Sequence, residues 1–321
     1  VPFGGAKGGI NCDPHTLSEH DLHQITARFV EQMKDVIGPT TDIPAPDVNT
    51  NAKIMGWIMH EYSKYEGFSP SIVTGKPLDL FGSEGREAAT GRGVMNVLAE
   101  ALQESSRTFE GLAVAVQGFG NVGSNAARLI AEQGASIVAI ADHTGGVYKD
   151  GGLDVPALIA WTTEHGGVKG FPGGEAFDSA EIITWNCDVL VPAALENAIN
   201  EGNASDVKAS IIVEGANAPT TPAAHQILVD AGVLVIPDIL ANAGGVTVSY
   251  FEWAQNVQQF KWDEERVNIE LQKKMSQAYR SVRETADQHH IDLRTAAFVL
   301  AIRRVGRAAL SRVYVKQELP F

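Results

Sequence analysis

The chain opens VPFGGAKGGINCDP, with Lys7 held between Gly4, Gly5 and Gly8, Gly9. Glycine is used where the backbone takes unusual dihedrals or lies close against another group, so a lysine in such a nest is a candidate for being aimed at a ligand. The plain alternative is a surface turn. A phosphate-binding P-loop is excluded by spacing, because that motif places Ser or Thr after its lysine and Lys7 is followed by Gly8. A second candidate is Asp47 in DIPAPDVNTN, preceded by Pro46 and followed by a helix start, where a capping aspartate is the competing reading. The third is LAVAVQGFGNVGSNAARLIAEQGASIVAIAD, which carries Gly118, Gly120 and Gly123 as G-x-G-x-x-G between a β-branched strand and an Ala-rich helix. A second strand ends in an acid, Asp142, about 20 residues further on, so every context requirement of a dinucleotide fingerprint is met.

In that fingerprint Gly118 makes the tight turn, Gly120 lets a pyrophosphate approach the backbone, and Gly123 lets the helix pack on the sheet, with Phe119, Asn121 and Val122 completing the loop. The diphosphate is expected at the helix N-terminus, where unpaired N–H groups and the dipole favour negative charge. Asp142 is placed to accept from the adenosine ribose hydroxyls and to repel a 2′-phosphate, which leans toward NAD; His143, Thr144 and Lys149 nearby leave NADP open. Ligands of open α/β sheets bind beyond the carboxyl ends of the strands, which draws attention to PAALEN, GANAPTT and PDILANAGG. There Asn217 and Asn242 offer amides suited to a ribose or a nicotinamide carboxamide, or to stabilising their own loops.

The elements that must position these residues are legible in the same pattern. TLSEHDLHQITARFVEQMKDVIG spaces Leu22, Ile25, Phe29, Met33 and Val36 for an amphipathic helix, with Ser18 and Asp21 as a capping box and Gly38 as its end. Three prolines then prescribe a rigid loop, and AKIMGWIMHEYSKY reads as another helix. From about residue 111, LAVAVQ, SIVAIAD, DVLVPAA, SIIVEGAN and VLVIPD are short Val/Ile runs without in/out alternation, the mark of parallel strands buried on both faces. Two helices close the chain, the first with Val267, Leu271, Met275, Tyr279, Val282 and Ala286 on one stripe.

Composition sets the bounds. The 321 residues predict two domains, and a formal charge of −14, from 25 Lys and Arg against 39 Asp and Glu, argues against nucleic acid or an anionic membrane as partner. Mean hydropathy is −0.05 and no apolar run approaches a bilayer span. Cys12 and Cys187 suggest neither a disulfide framework nor a zinc site, no histidine spacing suggests a metal, and a cytoplasmic, reducing compartment fits.

The blocks PFGGAKGG, DIPAPDVNTN, TGKP, GREAATGRG, QGFGNVG, PAALEN, VEGAN and PDILANAGGVTVSYFEW, in this order, resemble the hexameric glutamate dehydrogenases across essentially the whole chain. The resemblance implies an α/β protein of two domains. A substrate domain, 1–85, is completed by helices of 246–321 that return to it, and a doubly wound, Rossmann-like dinucleotide domain spans 86–245. It implies that Lys7 is the catalytic lysine, also contacting substrate, and Asp47 the catalytic aspartate. Arg86 and Ser249 would line the substrate pocket, the serine meeting the side-chain carboxylate; Thr90 and Asn242 would lie near the nicotinamide and Asn217 near its ribose.

The implied reaction converts L-glutamate to 2-oxoglutarate and ammonia, reversibly, by hydride transfer to NAD or NADP in a homohexamer. A lysine desolvated in a cleft acts as the base, and domain closure excludes water. The family also has a segment ahead of the lysine motif carrying further lysines, so a partial or processed chain is expected. Leucine, phenylalanine and valine dehydrogenases share this chemistry with apolar pockets, against which Ser249 is the visible discriminator. A non-catalytic regulatory subunit is the remaining alternative.

Overall fold

The computed structural model describes residues 1–313. Its sheet has seven strands, β1 (Ala113–Gln117), β2 (Ser136–Asp142), β3 (Gly145–Tyr148), β4 (Glu175–Phe177), β5 (Val189–Pro192), β6 (Ile211–Val213) and β7 (Leu234–Ile236), in the order β4-β3-β2-β1-β5-β6-β7. All five Val/Ile runs of the sequence are strands, and β2-β1-β5-β6-β7 is parallel throughout. Their small residues make the stack close: Ala115 of β1 and Ala139 and Ala141 of β2 are fully buried against Ile182, Leu190, Ile199 and Leu228. The two strands not anticipated, β3 and β4, pair antiparallel at the β2 edge. Both are short and β3 begins with two glycines, and a Cβ on Gly146 would stand 2.5 Å from the Phe177 ring of β4, so tertiary packing rather than propensity makes them strands.

The helices are α1 (Glu19–Met33), α2 (Ala52–Glu66), α3 (Ala89–Glu104), α4 (Asn121–Glu132), α5 (Val155–His165), α6 (Pro222–Asp230), the short α7 (Asp238–Ala241), α8 (Gly244–Gln258), α9 (Glu264–His289) and α10 (Leu293–Leu310). The Ser18–Asp21 capping box starts α1 with both reciprocal bonds present. The helix stops at Met33 rather than Gly38. The buried positions are Thr26 and Val30, with Ile37 beyond the end, and Val36 is 48% exposed, so the stripe is rotated from the one the spacing predicts.

The chain divides into two units. One comprises Val1–Ala89 and Gly245–Leu271; the other comprises Thr90–Gly244 and the chain from Gln272 onward. In the first, α1 and α2 close over a core of Val30, Ile37, Met55, Ile58, Met59, Tyr62, Ile72 and Val73, and β-structure among the described residues is one isolated bridge, Ile37 with Asp42. The second holds the sheet. Helix α9 runs on into the second unit after Leu271, and α10 packs on β7 and α7. The α9 stripe is as expected, with Val267, Leu271, Met275, Tyr279, Val282 and Ala286 all buried.

Candidate active site

In the sheet-bearing unit, β1 has β2 on one side and β5 on the other, so the crevice at its carboxyl end is the place where α/β sheets take ligands. The fingerprint loop occupies it. Gly118 has φ +88, a left-handed conformation that favours glycine, and its amide donates to the Ala141 carbonyl at 2.6 Å. A Cβ on Gly123 would stand 1.8 Å from the Gly118 carbonyl oxygen, so only glycine lets α4 start this close to the turn. At Gly120, by contrast, a Cβ would meet nothing within 4 Å, and no side chain caps the helix that begins at Asn121. Open space in front of an uncapped helix N-terminus fits a dinucleotide's diphosphate.

The loops after β5 and β6 close around this point. Gly215 and Ala216 both donate to the Pro192 carbonyl at 2.9 Å, and a Cβ on Gly215 would come within 3.2 Å of Val122 and Ala193. Asn217 and Asn242 are brought together, the Asn242 Nδ2 donating to Asn217 Oδ1 at 2.7 Å. Among the described residues this leaves the Asn217 Nδ2 donor and the Asn242 Oδ1 acceptor without a protein partner, one of each kind. Thr90 stands in the first turn of α3, and that helix crosses α4 closely, since a Cβ on Gly91 would lie 2.6 Å from the Ala126 amide.

Asp142 is more committed than its sequence position suggests. Its Oδ1 accepts from the Thr144 amide at 2.7 Å and hydroxyl at 2.5 Å, and its Oδ2 from the Val168 amide at 3.0 Å. Thr144 is therefore a tether of the carboxylate rather than a residue free to turn toward a phosphate. What remains for a ribose is the second acceptor position of Oδ2.

In the other unit, Lys7 Nζ pairs with Asp47 Oδ2 across 40 residues of sequence. The proline loop delivers Asp47 through a turn in which Thr50 bonds its amide and carbonyl, at 2.7 and 2.8 Å. Asp47 is not a cap, because Asn51 caps α2. Lys7 is 80% and Asp47 52% exposed, so the chain's own packing does not supply the expected desolvation. The four glycines also have neither positive φ nor any neighbour within 4 Å of a Cβ, so nothing in the described chain demands them. They face open space.

Arg86 and Ser249 do meet, Arg86 Nε donating to Ser249 Oγ at 3.0 Å. The residues that hold them were not singled out in the sequence. One turn along α8 from Ser249, Glu252 accepts from the Gly75 and Lys76 amides and from Lys76 Nζ, at 2.9, 3.3 and 2.6 Å, with both side chains fully buried. Burial pushes the Lys76 ammonium and the Arg86 guanidinium below their ordinary values, and the Glu252 carboxylate opposes both shifts. Further along the helix, Gln255 bonds Ser83 and Asn256 bonds the Phe81 carbonyl, so one polar face of α8 shapes the loop that presents Arg86. The signal was visible as Glu, Gln and Asn inside the apolar run VSYFEWAQNV.

Comparison with known proteins decides the family. A profile described as Glutamate/Leucine/Phenylalanine/Valine dehydrogenase matches residues 82–312, and one described as the Glu/Leu/Phe/Val dehydrogenase dimerisation domain matches residues 1–64. The chain belongs to the Glu/Leu/Phe/Val dehydrogenase family. A relative in that family, glutamate dehydrogenase of Thermotoga maritima, is 50% identical over 314 residues, covering 97% of this chain and 76% of the relative. Among solved structures, the hetero-hexameric glutamate dehydrogenase of Thermus thermophilus in a Leu-bound form superposes with a TM-score of 0.93 at 36% identity, over 98% of this chain and 75% of that one. Glutamate dehydrogenase of Peptoniphilus asaccharolyticus gives 0.85 at 37%, over 98% and 76%. As a Glu/Leu/Phe/Val dehydrogenase the chain is an amino-acid dehydrogenase, a dinucleotide-dependent oxidoreductase, in keeping with the fingerprint in the crevice of its sheet.

Proposed function

We propose that the protein catalyses the oxidative deamination of L-glutamate to 2-oxoglutarate and ammonia, and its reverse, with Lys7 and Asp47 as the catalytic pair. The observation that carries this reading is the Lys7–Asp47 ion pair, an amine and a carboxylate joined directly from two loops. When bound, a nicotinamide dinucleotide supplies the acceptor for the hydride that leaves the substrate α-carbon. Lys7, having passed a proton to Asp47, activates the water that attacks the resulting iminium carbon. Asp47 then gives its proton to the amine nitrogen and, as the C–N bond breaks, takes the proton of the carbinolamine hydroxyl, so that the ketone forms and ammonia departs. Because Lys7 is exposed in the folded chain, bound substrate has to supply its desolvation.

Glutamate is favoured over an apolar amino acid by hydrogen-bond direction. Arg86 Nε–H donates to Ser249 Oγ, so the serine keeps its own O–H as a donor, and a side-chain carboxylate is the acceptor it suits. An apolar side chain would leave that hydroxyl unpaired in a buried position. The substrate-binding set is then Lys7, Arg86 and Ser249, and the cofactor set Thr90, Gly118 to Gly123, Asp142, Asn217 and Asn242. The tethered Asp142 anion favours NAD over NADP. Unpaired Cys12 and Cys187 fit the cytoplasm, and no helix among the described residues is long and apolar enough to cross a membrane. A homohexamer is the proposed assembly.

Purified protein assayed with L-glutamate, L-leucine, L-phenylalanine and L-valine, each with NAD and with NADP, tests the reading. Turnover of glutamate, faster with NAD, is expected. Turnover of leucine without glutamate would overturn the substrate, and none with any amino acid would favour a regulatory subunit.

A further inference from the structure

A partly buried ionic network in the sheet-bearing unit belongs to none of the roles above. Glu214, directly after β6, is fully buried, and its Oε2 accepts from the Asp238 amide at 2.8 Å. Asp238 opens α7, directly after β7 and Pro237, and its Oδ2 accepts from the Ala218 amide at 2.8 Å. Arg294, in the first turn of α10, forks across the two acids: Nη2 donates to Glu214 Oε1, and Nη1 to Asp238 Oδ1 at 3.3 Å. Burial pushes the Glu214 carboxyl up, and the Arg294 guanidinium opposes that shift.

The two acids bracket the asparagine pair. Glu214 and Ala218 flank Asn217 in its loop, and Asp238 accepts from the Asn242 amide through its carbonyl at 3.0 Å. The segments carrying Asn217 and Asn242 are thus joined to each other through Glu214 and Asp238, and both are tied to α10 through one guanidinium. The α10 N-terminus is itself fixed, since its cap Asp292 bonds His225 of α6 at 2.9 Å.

We propose that Arg294 is a positioning residue for the nicotinamide half of the cofactor, acting through Glu214 and Asp238 on Asn217 and Asn242. This rests on the reading of those asparagines as contacts to the ring and its ribose. The guanidinium bonds of Arg294 go to Glu214 and Asp238, which adjoin the asparagine segments, so the effect is expected on the nicotinamide half and not on the adenosine and diphosphate side. That asymmetry separates positioning from general structural support.

The test compares the dissociation constants of NADH and ADP, which lacks the nicotinamide and its ribose, for the wild type, Arg294→Lys, Arg294→Met and the double variant Arg294→Met/Glu214→Gln. The double variant removes the buried charge that Arg294→Met would strand, while its Gln can still accept from the Asp238 amide, so it keeps the test open should the single variant fail to fold. NADH binding is expected to weaken about tenfold in Arg294→Met and in the double variant, and less in Arg294→Lys, as for loss of charge-assisted hydrogen bonds. ADP binding and the KM for glutamate stay at the wild-type value. Equal weakening of NADH and ADP, or wild-type NADH binding in the folded variants, overturns the proposal. If the wild type binds NADH but does not turn over glutamate, it is the function reading that has failed.

Discussion

Lys7 does its proposed work from an exposed position, which makes its variants informative. Nothing in the described chain packs around the glycines that flank it, so Lys7→Ala should leave the melting temperature unchanged. Its kcat/KM for glutamate should fall about 10²–10⁴-fold, the range of a lost general base. Lys7→Arg should not rescue it, because a guanidinium keeps its proton at any working pH. Recovery of near-normal rate in either variant, measured by steady-state kinetics, would remove Lys7 from the mechanism. Ser249 gives a second reading at this scale: Ser249→Ala should raise the KM for glutamate and narrow its advantage over leucine, since the hydroxyl donor is gone. An unchanged ratio of kcat/KM between the two amino acids would assign the discrimination elsewhere.

At the scale of elements, the β1–α4 turn separates two uses of glycine. Gly123→Ala drives a Cβ into the Gly118 carbonyl and should destabilise the protein by about 1–3 kcal/mol, as overpacking does. Gly120→Ala has φ −78 and open space, so it should melt with the wild type while weakening NADH binding, and equal melting losses in the two variants would contradict this. The start of α10 makes an acid-sensitive joint. Burial raises the Asp292 carboxyl, but bonds from Thr295 and His225 outweigh it and bring it to about 2, below its ordinary 3.8. A depressed carboxylate contributes stability that is present above the unfolded value and is lost as pH falls through the folded one. Asn keeps the cap, so the melting advantage of wild type over Asp292→Asn should be full above about pH 4 and vanish by about pH 2. An advantage that persists to the acid end would show that it is not the carboxylate's charge that matters.

For the whole molecule, what could be read from sequence followed from how local each cause is. The parallel strands, the capping box and the fingerprint are set by neighbouring residues, and they stand where spacing puts them. Lys7 and Asp47 were legible as types, but their pairing joins two loops that no periodicity relates. Glu252 with Lys76 and Arg294 with Glu214 went unread because a lone charge in an apolar run is interpretable only once its partner, in a distant segment, is placed. The short strands β3 and β4 were hidden for a similar reason, their identity resting on ring packing across the sheet. The proposed homohexamer belongs to this scale, and light scattering should return six times the chain mass, a smaller assembly contradicting it. The central claim, that this chain moves hydride from the α-carbon of glutamate to a nicotinamide, has a direct test in L-glutamate carrying deuterium at that carbon. Incubated with the protein and NAD, it should yield reduced cofactor that carries the deuterium, read by mass spectrometry. Reduced cofactor without the label, or none formed, would contradict the account.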